Sequence, residues 1–344
     1  MNVNFSVDVI IPTYHPDEKF HVLMRMLREQ TYPIHKIVIM NTGTSLPEED
    51  HYRRHLVQKK AGGHVPVMEV YHIRPEEFDH GRTRDMAASW SMADVCVFMT
   101  QDAVPENDEL IQELVAPFER EVSARKDRLK MLNHARESMK ELTREPKRIA
   151  VAYARQLPAA DCRLIERYTR TFNYPEDDRV KTAEDIPELG IKTFFCSNVC
   201  AAYRMDLFRR LGGFEKKTIF NEDMIYAGRA VKAGYAIYYA SKARVVHSHN
   251  YSGITQFHRN FDMAVSQADH PDIFELASSE KEGVRLVKST ASYLVSQGKP
   301  WLVFQLIWQS GCKFLGYKLG KNYKKLPMSL VRAFSLQKSY WGKS

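Results

Sequence analysis

Short unbroken apolar runs alternate with helical spacings along the first third of the chain. Residues 7–11, 36–40, 67–72 and 95–99 form runs of strand length, and each ends in polar or turn-forming residues. Between the first two runs, Phe20, Leu23, Met24 and Leu27 recur at helical spacing until Thr31, Tyr32 and Pro33 stop the pattern. Residues 83–93 read as a further helix ahead of the fourth run. Parallel strands joined by helices cross over right-handed, so the loops leaving these strands emerge on one edge of the sheet. That edge collects Pro12, Thr13 and Tyr14 from the first loop, Asn41 from the second, residues 74–84 from the third, and Gln101 and Asp102 from the fourth. An open α/β sheet places its ligand groups at such carboxyl ends.

The pattern then changes. Residues 106–147 are charged and helix-prone, with both signs interleaved from Glu119 onward, which reads as a solvated helical insertion. A strand resumes over 148–153 and runs out through Arg155 and Gln156 to Pro158. Residues 193–203 read as another strand that carries Ser197 and Asn198 inside an apolar run. A Gly212-Gly213-Phe214 turn precedes Asn221, Glu222 and Asp223, which open a helix reaching about Ala233; helix capping alone also favours this trio. Strands over 234–240 and 243–247 end in His247 and His249, which are two apart and therefore face one side.

At 344 residues the chain exceeds one average domain and can bury a large core. The predicted division is a catalytic domain over 1–270, with a nucleotide half over 1–105, the insertion over 106–147 and an acceptor half over 148–270, followed by a tail over 271–344. Residues 1–6 are polar and the first apolar run is only strand-length, so no secretory signal is expected. The five cysteines are scattered without zinc-like pairing, which suits buried thiols in a reducing compartment. The net charge of +8 is unevenly placed. Residues 281–344 hold twelve Lys and Arg against Glu282 alone, leaving the rest of the chain slightly acidic. Basicity confined to the end argues against nucleic acid wrapped on the main domain and for a local anionic partner of the tail. No G-x-G-x-x-G follows either of the first two strands, which disfavours a dehydrogenase.

The order of these motifs resembles the inverting nucleotide-sugar glycosyltransferases of family 2. It is the order Pro12-Thr13-Tyr14, a polar loop at Asn41, an Arg-bearing helix, Asp102 at a strand end, a Gly-Gly-Phe turn, Glu222-Asp223, and a late histidine. Within that family the stretches 77–84, 98–103, 154–158, 170–175, 195–198 and 247–252 resemble bacterial rhamnosyltransferases of surface-polysaccharide synthesis. The resemblance implies a GT-A fold, an α/β architecture with a Rossmann-like, mainly parallel mixed sheet flanked by helices and here extended by an amphipathic helical tail. It implies that Asp102 and a histidine, His249 ahead of His247, hold a divalent Mg²⁺ or Mn²⁺ against the donor diphosphate. One carboxylate stands where the family commonly has more. Asp223 matches the general base, and Glu222 orients donor or acceptor. Thr13, Tyr14, Asn41, Asp79 and Arg84 fall on the base and ribose side, Arg84 alternatively on phosphate. Arg155, Gln156, Ser197 and Asn198 fall on the sugar side. Asn41, where acidic residues are usual, fits a dTDP-sugar donor, with a UDP-sugar donor as the alternative. A non-catalytic scaffold subunit is the rival reading; Asp223 and His249 together argue against it.

The tail adds a membrane question. In residues 299–320, Gln305, Gln309 and Lys313 recur every four residues on an otherwise apolar, Trp-rich helix. The polar stripe interrupts it too often for a membrane span. Followed by Lys318, Lys321, Lys324, Lys325 and Arg332, it predicts a helix lying in an anionic leaflet. A peripheral place on the cytoplasmic face of the plasma membrane and a lipid-linked saccharide acceptor are the matching expectations. The alternatives are packing on the catalytic domain or a homodimer.

Overall fold

The computed structural model describes residues 4–57, 65–134, 147–276 and 280–342. Its strands are β1 (Val7–Thr13), β2 (Lys36–Thr42), β3 (Val67–Ile73), β4 (Val95–Met99), β5 (Val104–Pro105), β6 (Ile149–Leu157), β7 (Arg179–Lys181), β8 (Cys200–Arg204) and β9 (Ala236–Val246). They make one mixed sheet in the order β3-β2-β1-β4-β8-β6-β9-β5, with β7 paired to β9. Neighbours among β1 to β4 are parallel, β8 is antiparallel to both β4 and β6, and β6 is parallel to β9. The inserted β8 therefore runs against β1, β2, β3, β4, β6 and β9, all of which share one direction. The Thr13, Asn41 and Gln101 loops consequently leave the same edge as the loop after β9.

Helices α1 (Glu18–Arg28), α2 (Glu49–Val57), α3 (His80–Ser89), α4 (Leu110–His134), α5 (Leu164–Asn173), α6 (Ile186–Leu189) and α7 (Met205–Arg210) come first. Then follow α8 (Glu222–Lys232), α9 (Gly253–Asp269), α10 (Pro271–Phe274), α11 (Glu280–Ser296), α12 (Leu302–Lys321) and α13 (Met328–Phe334). One core layer joins α1, α2 and α4 to one face of the sheet through Phe20, Leu27, Tyr52, Leu114 and Phe118. The other joins α3, α7 and α8 to the opposite face through Ala87, Phe208, Phe214 and Tyr226. Side chains of β1 split between the layers, Val9 and Ile11 to one and Ile10 to the other, as the two-residue period of a strand requires.

Several segments differ from expectation for local reasons. The charged segment predicted to begin at 106 starts as core: Leu110, Ile111, Leu114, Val115 and Phe118 are fully buried. Glu121 is also buried, where it accepts from the Ile149 N–H and pairs with Arg204. The rest of the expected insertion, residues 135–146, lies outside the described residues. The strand expected over 193–203 is a 3-10 turn to Phe194 and an open loop, with ladder pairing only from Cys200. The Asn198 N–H goes to a side chain of the site instead of a neighbouring strand. The two strands expected over 234–247 are one strand, β9, whose pairing with β6 shifts register between Ala154 and Arg155. The tail takes the packing on the main domain that stood as an alternative: α12 packs along α9, and Phe261, Val265 and Val331 share a small core.

Candidate active site

The strand-end Asp102 and the two histidines after β9 meet in one corner. Asp102 Oδ2 lies 3.1 Å from His249 Nε2 and 3.4 Å from His247 Nε2, and the two imidazole nitrogens are 3.1 Å apart. His249 does belong to this corner, and so equally does His247. The family resemblance ranks His249 ahead of His247, whereas the geometry brings both to Asp102. The Gln156 Oε1 accepts from His247 Nδ1–H at 3.2 Å, which leaves the Nε2 lone pair facing Asp102. Arg170 holds Gln156 in turn, and the Gln156 amide donates to Ser197 Oγ at 3.0 Å. His249 stacks on Tyr251 with ring centroids 4.9 Å apart, and the Arg259 guanidinium lies 4.7 Å from the centroid of that tyrosine ring.

Three lone-pair atoms facing one point repel each other unless a proton or a cation stands between them. Burial raises the Asp102 carboxyl, but the two imidazoles outweigh it and hold the group ionised, well below the usual range. Burial pushes His247 down toward the neutral form in spite of Asp102. A carboxylate and two imidazoles are a metal-ligand set, spaced as neighbouring donors around one cation are. The residues therefore fit a divalent ion. Two imidazoles suit a first-row transition ion such as Mn²⁺ better than Mg²⁺, which prefers oxygen.

Across the same cleft, of about 470 Å³, the first turn of α8 presents Glu222 and Asp223. Asn221 before them has φ +63°, a left-handed conformation that asparagine tolerates better than most residues. It does not cap the helix with its side chain; that amide donates to the Met263 carbonyl at 3.1 Å. Asn198 holds both acids. Its N–H donates to Asp223 Oδ2 at 2.9 Å, its amide donates to Glu222 Oε1 at 3.0 Å, and Tyr203 OH donates to its Oδ1. Burial raises both carboxyls, yet their states diverge. The Arg84 guanidinium, 3.4 Å from Glu222, together with His80 and Asn198 keeps Glu222 below its usual range. Burial and the charge of Glu222 push Asp223 up to about 7. One acid is a fixed anion and its neighbour a base poised near neutrality, the separation that general-base chemistry uses.

The expected site residues fall into three groups. Asp102, Gln156, Ser197, Asn198, Glu222, Asp223, His249 and Arg84 all line the cleft. Arg84 is buried, pairs with Glu222 and donates to the His80 carbonyl, while its Nε has no partner among the described residues. Pro12, Thr13, Tyr14, Asn41 and Gln101 cluster at the sheet edge nearby. Tyr14 and Gln101 exchange backbone-to-amide hydrogen bonds of 2.7 and 3.0 Å, and Thr13 donates to Asn41 Oδ1. The Asn41 amide is then used up on the Ser45 carbonyl and His72. Asp79 and Arg155 are turned to other tasks. Asp79 caps α3 by accepting from the Gly81 and Arg82 N–H groups, and Arg155 pairs with Glu176. The sequence reading left out Arg170, Tyr251, Arg259 and Thr100. Thr100 lines the cleft and its buried hydroxyl has no partner among the described residues.

A strand-end carboxylate beside two histidines and a buried acid pair opposite, on a mixed sheet of this order, is a recognisable constellation. The family model described as glycosyl transferase family 2 matches residues 8–212. The chain is 36% identical over 343 residues to the O-antigen chain rhamnosyltransferase WbaN of Salmonella anatum, covering 98% of this chain and 96% of that one. It is 34% identical over 341 residues to the O-antigen chain rhamnosyltransferase RfbN of Salmonella typhimurium, with the same coverage. Among solved structures it is similar in fold to the mannosyltransferase PcManGT of Pyrobaculum calidifontis, solved with GDP-Man and Mn²⁺. That match has a TM-score of 0.50 at 14% identity and covers 98% of this chain and 85% of that one. Motif order, sheet, site and relatives agree: the chain belongs to the family 2 glycosyltransferases and has the GT-A fold.

Proposed function

We propose that this glycosyltransferase moves L-rhamnose from dTDP-β-L-rhamnose to a lipid-linked saccharide acceptor during O-antigen synthesis, with inversion at the anomeric carbon. The rhamnosyl and O-antigen assignments rest on the two relatives, which match over nearly the whole chain. The observation that carries the mechanism is Asp223, buried in the cleft with a carboxyl near 7 and fixed by the Asn198 N–H. Asp223 takes the proton from an acceptor hydroxyl. The freed oxygen attacks the anomeric carbon from the face opposite the diphosphate, the carbon–oxygen bond to phosphate breaks, and dTDP leaves with the electron pair. Glu222, kept anionic by Arg84, keeps Asp223 basic. Asp102, His247 and His249 would hold a divalent ion, Mn²⁺ in preference, which offsets charge on the departing diphosphate.

The reading extends to location. No described helix is long and apolar enough to cross a membrane. Helix α12 leaves Phe304 at 78% and Trp308 at 62% exposure, with Ile307, Phe314 and Leu315 beside them. Such a patch, next to a run of lysines, supports peripheral attachment to the anionic cytoplasmic leaflet. The test offers purified protein dTDP-rhamnose and a panel of UDP-sugars with Mn²⁺ and lipid-diphosphate saccharides. Transfer confined to dTDP-rhamnose is expected; transfer only from a UDP-sugar overturns the donor assignment.

A further inference from the structure

The polar stripe of α12 is only partly exposed and lines a recess. Gln305, Gln309 and Lys313 point into a second cavity of about 240 Å³, closed on its other sides by Glu166 and Thr169 of α5 and by Asn250 after β9. The apolar side of the helix is the one that faces out. This inverts the usual arrangement of a helix at a protein surface. The orientation is fixed by close packing. Gly316 and Gly320 lie so near the Phe257 and Phe261 carbonyls of α9 that a Cβ would stand 2.2 and 2.3 Å from those oxygens.

What the stripe does there is not spent on the protein. The Lys313 ammonium makes no hydrogen bond or ion pair among the described residues, and neither does the Gln305 amide. Gln309 reaches only the Tyr251 carbonyl, at 3.5 Å. Polar side chains that are only partly exposed and make few bonds to the protein leave donors and acceptors around one recess for a ligand. Glu166 in the wall is neutralised by Arg170, whose Nε donates to it at 2.7 Å. The recess thus offers amides, a hydroxyl, the Lys313 ammonium and, from an exposed residue of its wall, Arg163, beside the Tyr251 ring. That mixture suits a hydroxyl-rich neutral ring better than a second diphosphate, which would call for clustered cations. The cavity also shares Glu166, Thr169, Tyr251, Gln256, His249 and Lys313 with the transfer cleft, so the two are continuous.

We propose that this cavity is the acceptor-saccharide site, with Gln305, Gln309 and Lys313 of α12 as its recognition edge. The inference rests on the glycosyl-transfer reading and adds where the acceptor sits. A sugar held there lies between the apolar outer face of α12 and Asp223, so one helix both seats the protein on a lipid surface and grips the glycan.

The test uses the full chain and a panel of alkyl diphosphates bearing single hexoses or N-acetylhexosamines. Gln305→Ala, Gln309→Ala and Lys313→Met are compared with the unaltered protein, each checked for an unchanged Tm. The acceptor KM should rise about tenfold per variant, as loss of one or two hydrogen bonds to a ligand does. The donor KM should move much less. Gln305→Ala, farthest along the helix from the metal corner, keeps the test open if Lys313→Met misfolds. An acceptor KM unmoved in folded variants, or a rise in donor KM instead, would overturn the assignment and leave glycosyl transfer standing. No transfer by the unaltered protein from any donor would overturn both.

Discussion

The backbone N–H of Asn198 donates to Asp223 Oδ2 at 2.9 Å across a sequence separation of 25 residues. That bond explains why the strand expected through Asn198 does not form: the amide that would join the ladder holds the Asp223 carboxylate instead. It also favours the ionised carboxylate, while burial and Glu222 oppose it and bring the group to about 7. As pH falls through that value Asp223 takes up a proton and loses its function. The kcat/KM should therefore drop about tenfold per pH unit below the transition and level off above it. A flat profile between pH 5 and 8, about the range that a base near 7 must titrate across, would contradict the assignment.

The same group carries a stability consequence. Folded protein binds the Asp223 proton more tightly than unfolded chain does, so its contribution favours folding at low pH. That contribution is lost as pH rises from about 4 to about 7. Asp223→Asn removes a buried charge that stands beside Glu222 at pH 8. The variant should lose transfer while its Tm at that pH stays level or rises.

Arg84 and Glu222 are both buried and face each other at 3.4 Å. Removing one partner of a buried pair leaves an uncompensated charge, a loss of about 3–5 kcal/mol. Arg84→Ala should thus lower the Tm markedly, and thermal unfolding in the absence of donor measures it. A residue that only contacted nucleotide would leave that unliganded Tm unchanged.

The metal corner depends on both histidines. His247→Ala should abolish Mn²⁺ stimulation as fully as His249→Ala, although their exposures differ. Gln156→Leu, which touches no ligand atom but frees the His247 ring, should weaken Mn²⁺ binding by about 10–100-fold. Titration of chelator-treated protein with Mn²⁺ and with Mg²⁺ reads both effects, and Mn²⁺ should act at the lower concentration.

The sheet-edge logic was legible because strand ends announce themselves: apolar runs stop at Thr13, Asn41 and Asp102, and the helices between them force one edge. The family motif singles out Asp223 and His249, and the structure brings both to one cleft. That Asp79 caps α3 and that Arg84 pairs with Glu222 was not legible in sequence, since a helix-capping carboxylate and a ligand-binding one look alike in one dimension and Glu222 lies far along the chain. The stripe on α12 misled in a similar way. Period alone tells which residues share a face, and only Gly316 and Gly320, by allowing contact with α9, decide which face is inside. The charged stretch after Glu119 was overextended toward 106 because Leu110 to Phe118 is followed directly by charges on the same helix.

Outward residues of α12 can be changed without touching its packing face. Phe304→Gln combined with Phe314→Gln should keep the Tm and transfer to a soluble acceptor while reducing co-sedimentation with anionic phospholipid vesicles. Unchanged sedimentation would remove the helix from the attachment surface.

The central claim is inverting transfer of rhamnose with Asp223 as the base. Its most direct test is the NMR anomeric configuration of the product made from dTDP-β-L-rhamnose, run beside Asp223→Asn. The account predicts an α-L-rhamnosyl product from the unaltered protein and none from the variant, which still binds donor. A β-linked product, or undiminished transfer by Asp223→Asn, would contradict it.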